Sequence, residues 1–173
     1  MDYYRICFKD EEHLGTGRMV DDRPLFFPPY EGEIIDWQEL VLGLVDGDYP
    51  DYLASDFGGR ICSERMRAIL DDAATSDDVL QWLSVKVKSS NEKRQYYYLH
   101  FPAPPAVLHP KKTIFAVGNV VVRPVLSSET AALHAVFSYP KNEGTPLIVN
   151  ELVRKEIFKI GLTGLELNKM PIA

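Results

Sequence analysis

The sequence predicts an α+β fold with a mostly antiparallel sheet, and two kinds of pattern carry this prediction. About seven to nine short stretches alternate apolar and polar residues or are rich in β-branched and aromatic residues, as strands are. Residues 63–73 and 150–160 instead place apolar side chains on one face at helical spacing, each behind a capping residue. Because these two helices do not alternate regularly with the strands, the pattern favours an α+β arrangement over a parallel α/β one.

The helix at residues 63–73 has the clearest local signals in the chain. Gly58 and Gly59 supply a turn before it, since glycine takes a positive φ without steric cost. Ser63 is the predicted N-cap, and Glu64 in the first turn suits the positive end of the helix dipole. The apolar face consists of Met66, Ile69, Leu70 and Ala73. We expect this face to pack against a sheet.

The same order of elements returns near the end of the chain. Residues 147–149 form a short apolar strand, Asn150 is the predicted N-cap, and Glu151 follows it. Gly161 is the predicted helix end, because glycine is the usual residue in the left-handed conformation there. The second helix therefore covers residues 150–160.

The strands are predicted from alternation. Residues 33–45 have leucines at period two, with Gly43 as a candidate bulge. Residues 79–88 alternate clearly and form a hairpin with the tyrosine-rich residues 95–101 across a polar turn. Further strands are predicted at residues 2–8, 60–62, 113–117, 119–126, 133–139 and 165–167.

The remaining segments are predicted to be loops. Residues 10–29 end in a proline-rich stretch in which Phe26 and Phe27 are expected to anchor the loop. Residues 102–110 hold four prolines and exclude regular structure. Residues 141–145 are a predicted turn.

Length and composition indicate a single domain over residues 1–173, since domains usually run to roughly 100–200 residues. The net charge of −6 argues against direct binding of nucleic-acid backbones. The two cysteines, Cys7 and Cys62, are expected to be free thiols in a reducing cytoplasm. We see neither a signal peptide nor an apolar run that could span a membrane, so we expect a cytoplasmic protein without a membrane partner.

Most candidate metal-binding and catalytic motifs in the sequence lack residues that their chemistry needs. The segment Asp46-Gly47-Asp48 resembles the start of a calcium loop, but Pro50 stands where a ligand should be and no glutamate closes the loop. His100 and His109 flank the proline-rich segment, and ordinary packed or polar histidines explain them better than a catalytic pair does. We therefore expect no metal and no cofactor.

Two acidic segments stand out, at residues 46–56 and 71–78. They bracket the first helix, and we expect them to lie close together in the fold. Acids at a helix C-terminus oppose the helix dipole, so helix stability does not explain the second segment. Carboxylates interleaved with aromatic residues are typical of a protein-binding patch. The candidate contact residues are Asp46, Asp48, Tyr49, Asp51, Tyr52, Asp56, Asp71, Asp72, Asp77 and Asp78.

The order of motifs over residues 37–167 resembles a bacterial immunity-protein family. The resemblance rests on Asp36-Trp37, on residues 46–53 (DGDYPDYL), on Ser63-Glu64-Arg65 before a helix, and on residues 161–165 (GLTGL) after the second helix. That family is typified by a myxobacterial protein and was assigned to immunity because its genes neighbour those of polymorphic toxins. The resemblance implies a cytoplasmic, non-catalytic antidote to one cognate toxin. An acidic antidote suits a nuclease toxin with a basic cleft, since opposite charges speed encounter.

Two other classes of function stay open at this point. One is an enzyme that uses His100 or His109 together with nearby acids. The other is an adaptor or structural module, for example a homodimer formed through the exposed edge near Pro124. The expected oligomeric state is thus a monomer or a weak homodimer.

Overall fold

The structure is a computed structural model that describes residues 1–20, 22–23, 27–139 and 146–173. The α+β prediction is confirmed: the described residues form two main sheets, a separate two-stranded hairpin and three helices, and nearly all strand pairs are antiparallel. Two predictions, Phe26 as an anchor and a turn at residues 141–145, lie outside the described residues. Phe27 is 81% exposed and is not an anchor.

The large sheet has six strands and contains the predicted hairpin. Its members in spatial order are β2 (Thr16–Met19), β3 (Leu40–Val45), β6 (Gln81–Lys88), β7 (Lys93–His100), β5 (Ile61–Ser63) and β4 (Tyr52–Leu53). Strands β6 and β7 pair over their whole lengths, from Gln81 with His100 to Lys88 with Lys93. The β3–β6 pair is parallel, whereas the other pairs of this sheet are antiparallel.

Three predictions for this sheet were wrong. Residues 10–29 are not wholly loop, because β2 pairs with β3 at the sheet edge. The acidic segment 46–56 contains the short strand β4, which pairs with β5. Gly43 is not a bulge: it stands in unbroken register opposite both Arg18 and Lys88.

The small sheet joins the two ends of the chain. Its strands in spatial order are β10 (Val136–Phe137), β11 (Leu147–Asn150), β1 (Tyr3–Phe8) and β12 (Leu165–Lys169). Strand β1 is central, so that Tyr4 lies between Val149 on one side and Lys169 on the other. The predicted strands at residues 2–8, 133–139 and 165–167 are confirmed in part or whole by this arrangement.

Both predicted helix caps form. In α1 (Glu64–Ala73), the Met66 amide donates to Ser63 Oγ at 3.2 Å. In α3 (Glu151–Ile160), the Leu152 and Val153 amides each donate to Asn150 Oδ1 at 3.0 Å. Gly161 ends α3 with a φ of 70°. A third, short helix, α2 (Ser128–Ala131), was not predicted.

The central core draws side chains from both sheets and from both long helices. Its buried members are Tyr4, Ile6, Tyr52, Cys62, Met66, Leu70, Leu99, Phe101, Ala135, Val136, Leu147, Val149, Val153, Ile157 and Leu165. Strand β5 leads directly into α1, and β11 leads directly into α3. Each helix is thus tethered to a different sheet, and both helices face the same core.

The last element is a hairpin that is hydrogen-bonded to neither sheet among the described residues. It consists of β8 (Ile114–Phe115), a 3-10 turn (Val117–Asn119) and β9 (Val121–Arg123). Val121 packs into a core cluster on the small sheet, next to Leu126. We refer to residues 111–123 as the apolar hairpin.

Candidate binding surface

The two acidic segments do not form one patch, contrary to the expectation from sequence. Asp51 accepts a hydrogen bond from Ser63, the N-cap of α1, whereas Asp71 and Asp72 lie in the last turn of the same helix. A ten-residue helix is about 15 Å long at 1.5 Å per residue, and this length separates the segments. Each segment must therefore be considered as a separate surface.

Asp51 is a buried structural residue. Its carboxylate accepts hydrogen bonds from Ser63 Oγ at 2.6 Å and from the Thr163 amide at 3.0 Å. Arg65 Nε lies 3.7 Å from the same group. These contacts tie the start of α1 to the loop after α3. Its side chain is only 9% exposed, so little of Asp51 is available for the predicted contact with a partner.

Tyr52 is also buried and does not present its ring to a partner. It is 4% exposed, and its ring stacks on Phe8 with the ring centres 4.3 Å apart. Burial raises the pKa of the Tyr52 phenol far above its ordinary value. The side chain belongs to the central core rather than to a binding surface.

Asp78 is a buried residue that holds the second acidic segment in place through hydrogen bonds. Its side chain has no exposed area and lies 2.8 Å from His134 Nδ1. Its carboxylate also accepts hydrogen bonds from the amides of Thr75, Ala135 and Val136 at 2.9–3.1 Å. The carboxylate therefore fixes the segment between α1 and β6 against β10, and it is unavailable to a partner.

The other predicted residues reach the surface to different degrees. Asp71 accepts hydrogen bonds from Arg67 Nε at 3.3 Å and Trp82 Nε1 at 2.6 Å. Asp56 accepts one from the Met19 amide and so holds the end of β2. Tyr49 is partly buried. Besides Asp56, the exposed side chains without an ion pair to a described residue are those of Asp46, Asp48, Asp72 and Asp77.

A cleft of about 520 Å³ lies at the start of α1 and gathers three of the predicted residues. Asp48 and Tyr49 come from the turn before β4, and Asp51 forms part of the floor. The remaining lining residues are His13, Leu14, Pro50, Ser63, Glu64, Arg65, Glu92, Arg94, Gln95, Tyr96 and Thr163. We call this site the α1 cleft.

The backbone fixes the turn that carries Asp48. The Asp48 amide donates to His13 O at 2.9 Å, and the Gly15 amide donates to Asp48 O at 2.8 Å. A Cβ atom on Gly47 would lie 2.5 Å from the backbone carbon of Leu14, so only glycine fits between the two segments. The exposed Asp48 carboxylate is thereby held on a rigid rim.

Charged groups of opposite sign meet on the far rim of the α1 cleft. Arg94 donates two hydrogen bonds to Glu92, at 2.8 and 3.0 Å, and its guanidinium lies 4.3 Å from the centre of the Tyr49 ring. The hydrogen bonds from Arg94 hold the pKa of Glu92 below its ordinary value. Burial raises the pKa of Tyr96 behind them.

Glu64 completes the α1 cleft and was not chosen from the sequence. Its exposed carboxylate forms no ion pair with a described residue, and it stands in the first turn of α1, where the helix dipole favours a negative charge. Glu92, Arg94 and Arg65 were missed too. They belong to a hairpin turn and a helix that reach the cleft only through the fold, and no local pattern connects them with Asp48.

The histidines considered as catalytic candidates lie apart from the α1 cleft. His100 is 2% exposed, with Nε2 2.8 Å from Gly32 O. Burial lowers the pKa of His100. His109 Nδ1 accepts a hydrogen bond from the Lys111 amide. Within the described ranges, no group of three or more histidine, cysteine or acidic residues could hold a metal ion.

Comparisons with known proteins leave the function open. The chain matches no family model, and no curated protein matches it. Of the helices in the described part of the chain, none has the length and apolar character needed to cross a membrane.

Proposed function

We propose that the protein is an immunity protein, which binds one cognate toxin domain in the bacterial cytoplasm and neutralises it without catalysis. The observation that carries the proposal is the pair of exposed carboxylates on the α1 cleft, Asp48 and Glu64, which form no ion pair with a described residue. They line the α1 cleft together with Tyr49. The floor of the cleft is fixed by the hydrogen bonds from Ser63 and Thr163 to Asp51. Fixed charges next to an aromatic side chain suit recognition of a protein surface.

The chemistry of the cleft also supports a class of partner. A toxin with a basic, nucleic-acid-binding cleft would place lysine or arginine side chains opposite Asp48 and Glu64. Long-range attraction between such surfaces raises the association rate constant and makes it fall with ionic strength. The resemblance of residues 37–167 to an immunity-protein family points to the same class of function.

The first experiment is capture of the partner from the native host with the tagged protein, followed by mass spectrometry. We expect one stoichiometric protein with a toxin-like C-terminal domain. That domain, once purified, serves in binding measurements at several salt concentrations. Absence of a specific partner in cells shown to express a toxin would count against the proposal.

Charge reversal then tests the α1 cleft itself. The double substitution Asp48→Lys with Glu64→Lys should lower the association rate constant about tenfold, because steering by the rim is lost. The matched control is Glu33→Lys with Glu129→Lys, which changes the net charge equally at exposed positions away from the cleft. Equal effects of the two double variants would show that net charge matters and that the cleft does not.

A histidine-dependent enzyme is the competing class of function, and substitution of the two histidines tests it. His100→Gln combined with His109→Gln should leave toxin affinity and protection of cells unchanged. Loss of protection by this variant, with the fold intact by circular dichroism, would favour a histidine-dependent reaction instead.

A further inference from the structure

The apolar hairpin exposes an unusual run of large apolar side chains. Every residue from 114 to 120 is exposed, and Val117 at the tip is 98% exposed. Val122 on β9 is 62% exposed, whereas Val121 alone turns into the core. The exposed apolar members are Ile114, Phe115, Val117, Val120 and Val122. Contiguous apolar surface of this kind marks an interaction site in a folded protein.

The charges on the apolar hairpin are all positive. Lys111 and Lys112 precede β8, and Arg123 ends β9, all three exposed. None of them forms an ion pair with a described residue. Residues 93–128 contain five lysine and arginine residues and no carboxylate, although the whole chain has a net charge of −6. A complementary surface should therefore be apolar and acidic.

The groove between α1 and α3 is both apolar and acidic. The two helices are antiparallel: Arg65 Nη2 donates to Ile160 O at one end, and Ala73 at the end of α1 and Leu152 at the start of α3 both line the groove between them. The groove has a volume of about 350 Å³. Its apolar lining consists of Ile69, Ala73, Leu152, Val153 and Ile160, and its charged lining consists of Asp72 and Glu156. We call it the α1–α3 groove.

Two lining residues leave apolar surface open to solvent. Leu152 is 60% exposed and Ile160 is 46% exposed. Among the described residues, Asp72 forms no ion pair and Glu156 pairs only with Lys159, at 3.3 Å on the exposed helix surface. Such a surface pair contributes little to stability and can exchange partners. The volume of the groove lies in the range of pockets that hold a small ligand, so it can accept apolar side chains.

We propose that the apolar hairpin of one copy docks into the α1–α3 groove of a second copy. Val117 and its apolar neighbours would lie against Leu152 and Ile160, and the lysines would face Asp72 and Glu156. The contact is head-to-tail, so that each copy uses both surfaces, and repetition forms short chains or a ring. The inference is independent of the proposed toxin binding.

Charge distinguishes this contact from two others. A symmetric pairing of two hairpins would place Lys111, Lys112 and Arg123 of each copy against the same cations, which opposes association. An anionic membrane would attract the hairpin but repel the rest of this acidic chain. The acidic α1–α3 groove matches the hairpin in both polarity and charge.

The test measures the mass of the full-length protein in solution as a function of concentration. We expect the weight-average mass in analytical ultracentrifugation to rise between about 1 and 300 µM, a range that suits a weak contact, and to fall back when salt is added. Val117→Asp should keep the protein monomeric by placing a charge on the tip. Ile160→Lys should do the same by placing a cation in the groove, at a helix end that tolerates one.

A mixture of the two variants separates the geometries. In a head-to-tail contact, the Ile160→Lys copy still offers a hairpin and the Val117→Asp copy still offers a groove. The equimolar mixture should thus form a 1:1 dimer and nothing larger, although each variant alone is monomeric. Val20→Asp, at another exposed valine, is the matched control and should associate like the wild type.

Several results would overturn the proposal. These are a wild-type protein that stays monomeric throughout, association that survives Val117→Asp, and variants that fail to combine in the mixture. Binding of the wild type to phosphatidylserine vesicles without self-association would assign the hairpin to a membrane surface instead. Circular dichroism and melting curves of each variant establish that the exposed substitutions leave the fold intact.

Discussion

Buried carboxylates fix two junctions of this fold. Asp51 joins the start of α1 to the loop after α3, and Asp78 joins the segment after α1 to β10. A buried charge is stable only when hydrogen bonds replace the water it has lost, and both residues meet this condition. Their neighbours Asp48 and Asp77 are exposed, so that similar acidic positions in one segment differ fully in role.

Substitution of Asp78 should be far more costly than substitution of its neighbour. Asp78→Ala leaves the buried Ala135 and Val136 amides without their acceptor, and each such loss costs about 1–3 kcal/mol. We expect the free energy of unfolding to fall by about 3 kcal/mol or more in urea titrations. Asp77→Ala, at an exposed side chain, should stay within about 0.5 kcal/mol of the wild type.

Similar losses for the two variants would contradict this account of Asp78. They would show that the acidic segment contributes through its overall charge rather than through one buried acceptor.

The sequence could not distinguish Asp78 from Asp77. The partners of Asp78 lie at residues 134–136, more than fifty positions further along the chain, and no local spacing points to them. The same holds for Asp51 and Thr163. The acidic composition of both segments was visible in the sequence, but the division into structural and exposed carboxylates depends on the tertiary fold.

Elements with local signals were predicted well. The caps at Ser63 and Asn150 and the β6–β7 hairpin depend on residues within a few positions, and the structure confirms all three. Strand β2 was missed because it exists only through pairing with β3, and its Gly17 packs between Leu42, Leu53 and Ser55. Helix α2 was missed because its four residues are too short for a periodic pattern.

The turn before β5 offers a matched pair of glycines. Both have a positive φ, 78° at Gly58 and 76° at Gly59, so that alanine at either position costs about 1–2 kcal/mol of conformational strain. A Cβ at Gly58 would meet no atom within 4 Å, whereas one at Gly59 would lie 2.1 Å from the Tyr98 ring. Gly59→Ala should therefore lower the free energy of unfolding by about 1–3 kcal/mol more than Gly58→Ala does.

Chemical denaturation of the two variants provides the measurement. A crystal structure of Gly59→Ala should show displacement of Tyr98 and of its neighbour Trp37, whose ring centre lies 5.6 Å away. Equal stabilities would mean that the turn moves away from β7 at no cost.

The central core makes the two sheets dependent on each other. Leu147 of the small sheet and Leu99 of the large sheet belong to one buried cluster with α1 and α3. A structure built in this way should unfold as a unit, since neither sheet keeps its core without the other.

Leu147→Ala tests this dependence. Leu147 is 1% exposed, and its truncation should lower the free energy of unfolding by about 2–5 kcal/mol. Trp37 packs on the large sheet, whereas Trp82 packs against the central core, so tryptophan fluorescence measured in a Trp82→Phe background reports on the large sheet, while far-UV circular dichroism reports on all elements. The two transitions should shift together. A fluorescence transition that stays in place would indicate that the sheets unfold separately.

At the scale of the whole molecule, the fold class and the order of most elements followed from sequence, whereas the surfaces did not. The α1 cleft combines parts of the chain that are far apart in sequence, namely residues 13–14, 48–51, 63–65, 92, 94–96 and 163. Composition indicated acidic and aromatic residues near Tyr49. It did not indicate that Arg94 lies over the ring of Tyr49, or that Glu64 lines the same cleft as Asp48.

Because β1 lies between β11 and β12 in the small sheet, its pairing during synthesis must wait for strands that are made much later. Tyr4 is synthesised more than 140 positions before its pairing partners Val149 and Lys169. At about 5–20 residues per second, its partners follow about 7–30 s later. During that interval β1 has an apolar face and two open edges, while the large sheet can already form. Strands β11 and β12 thus determine whether each newly made molecule covers both edges of β1, and a chain that stops before residue 147 is left with a strand available to other proteins.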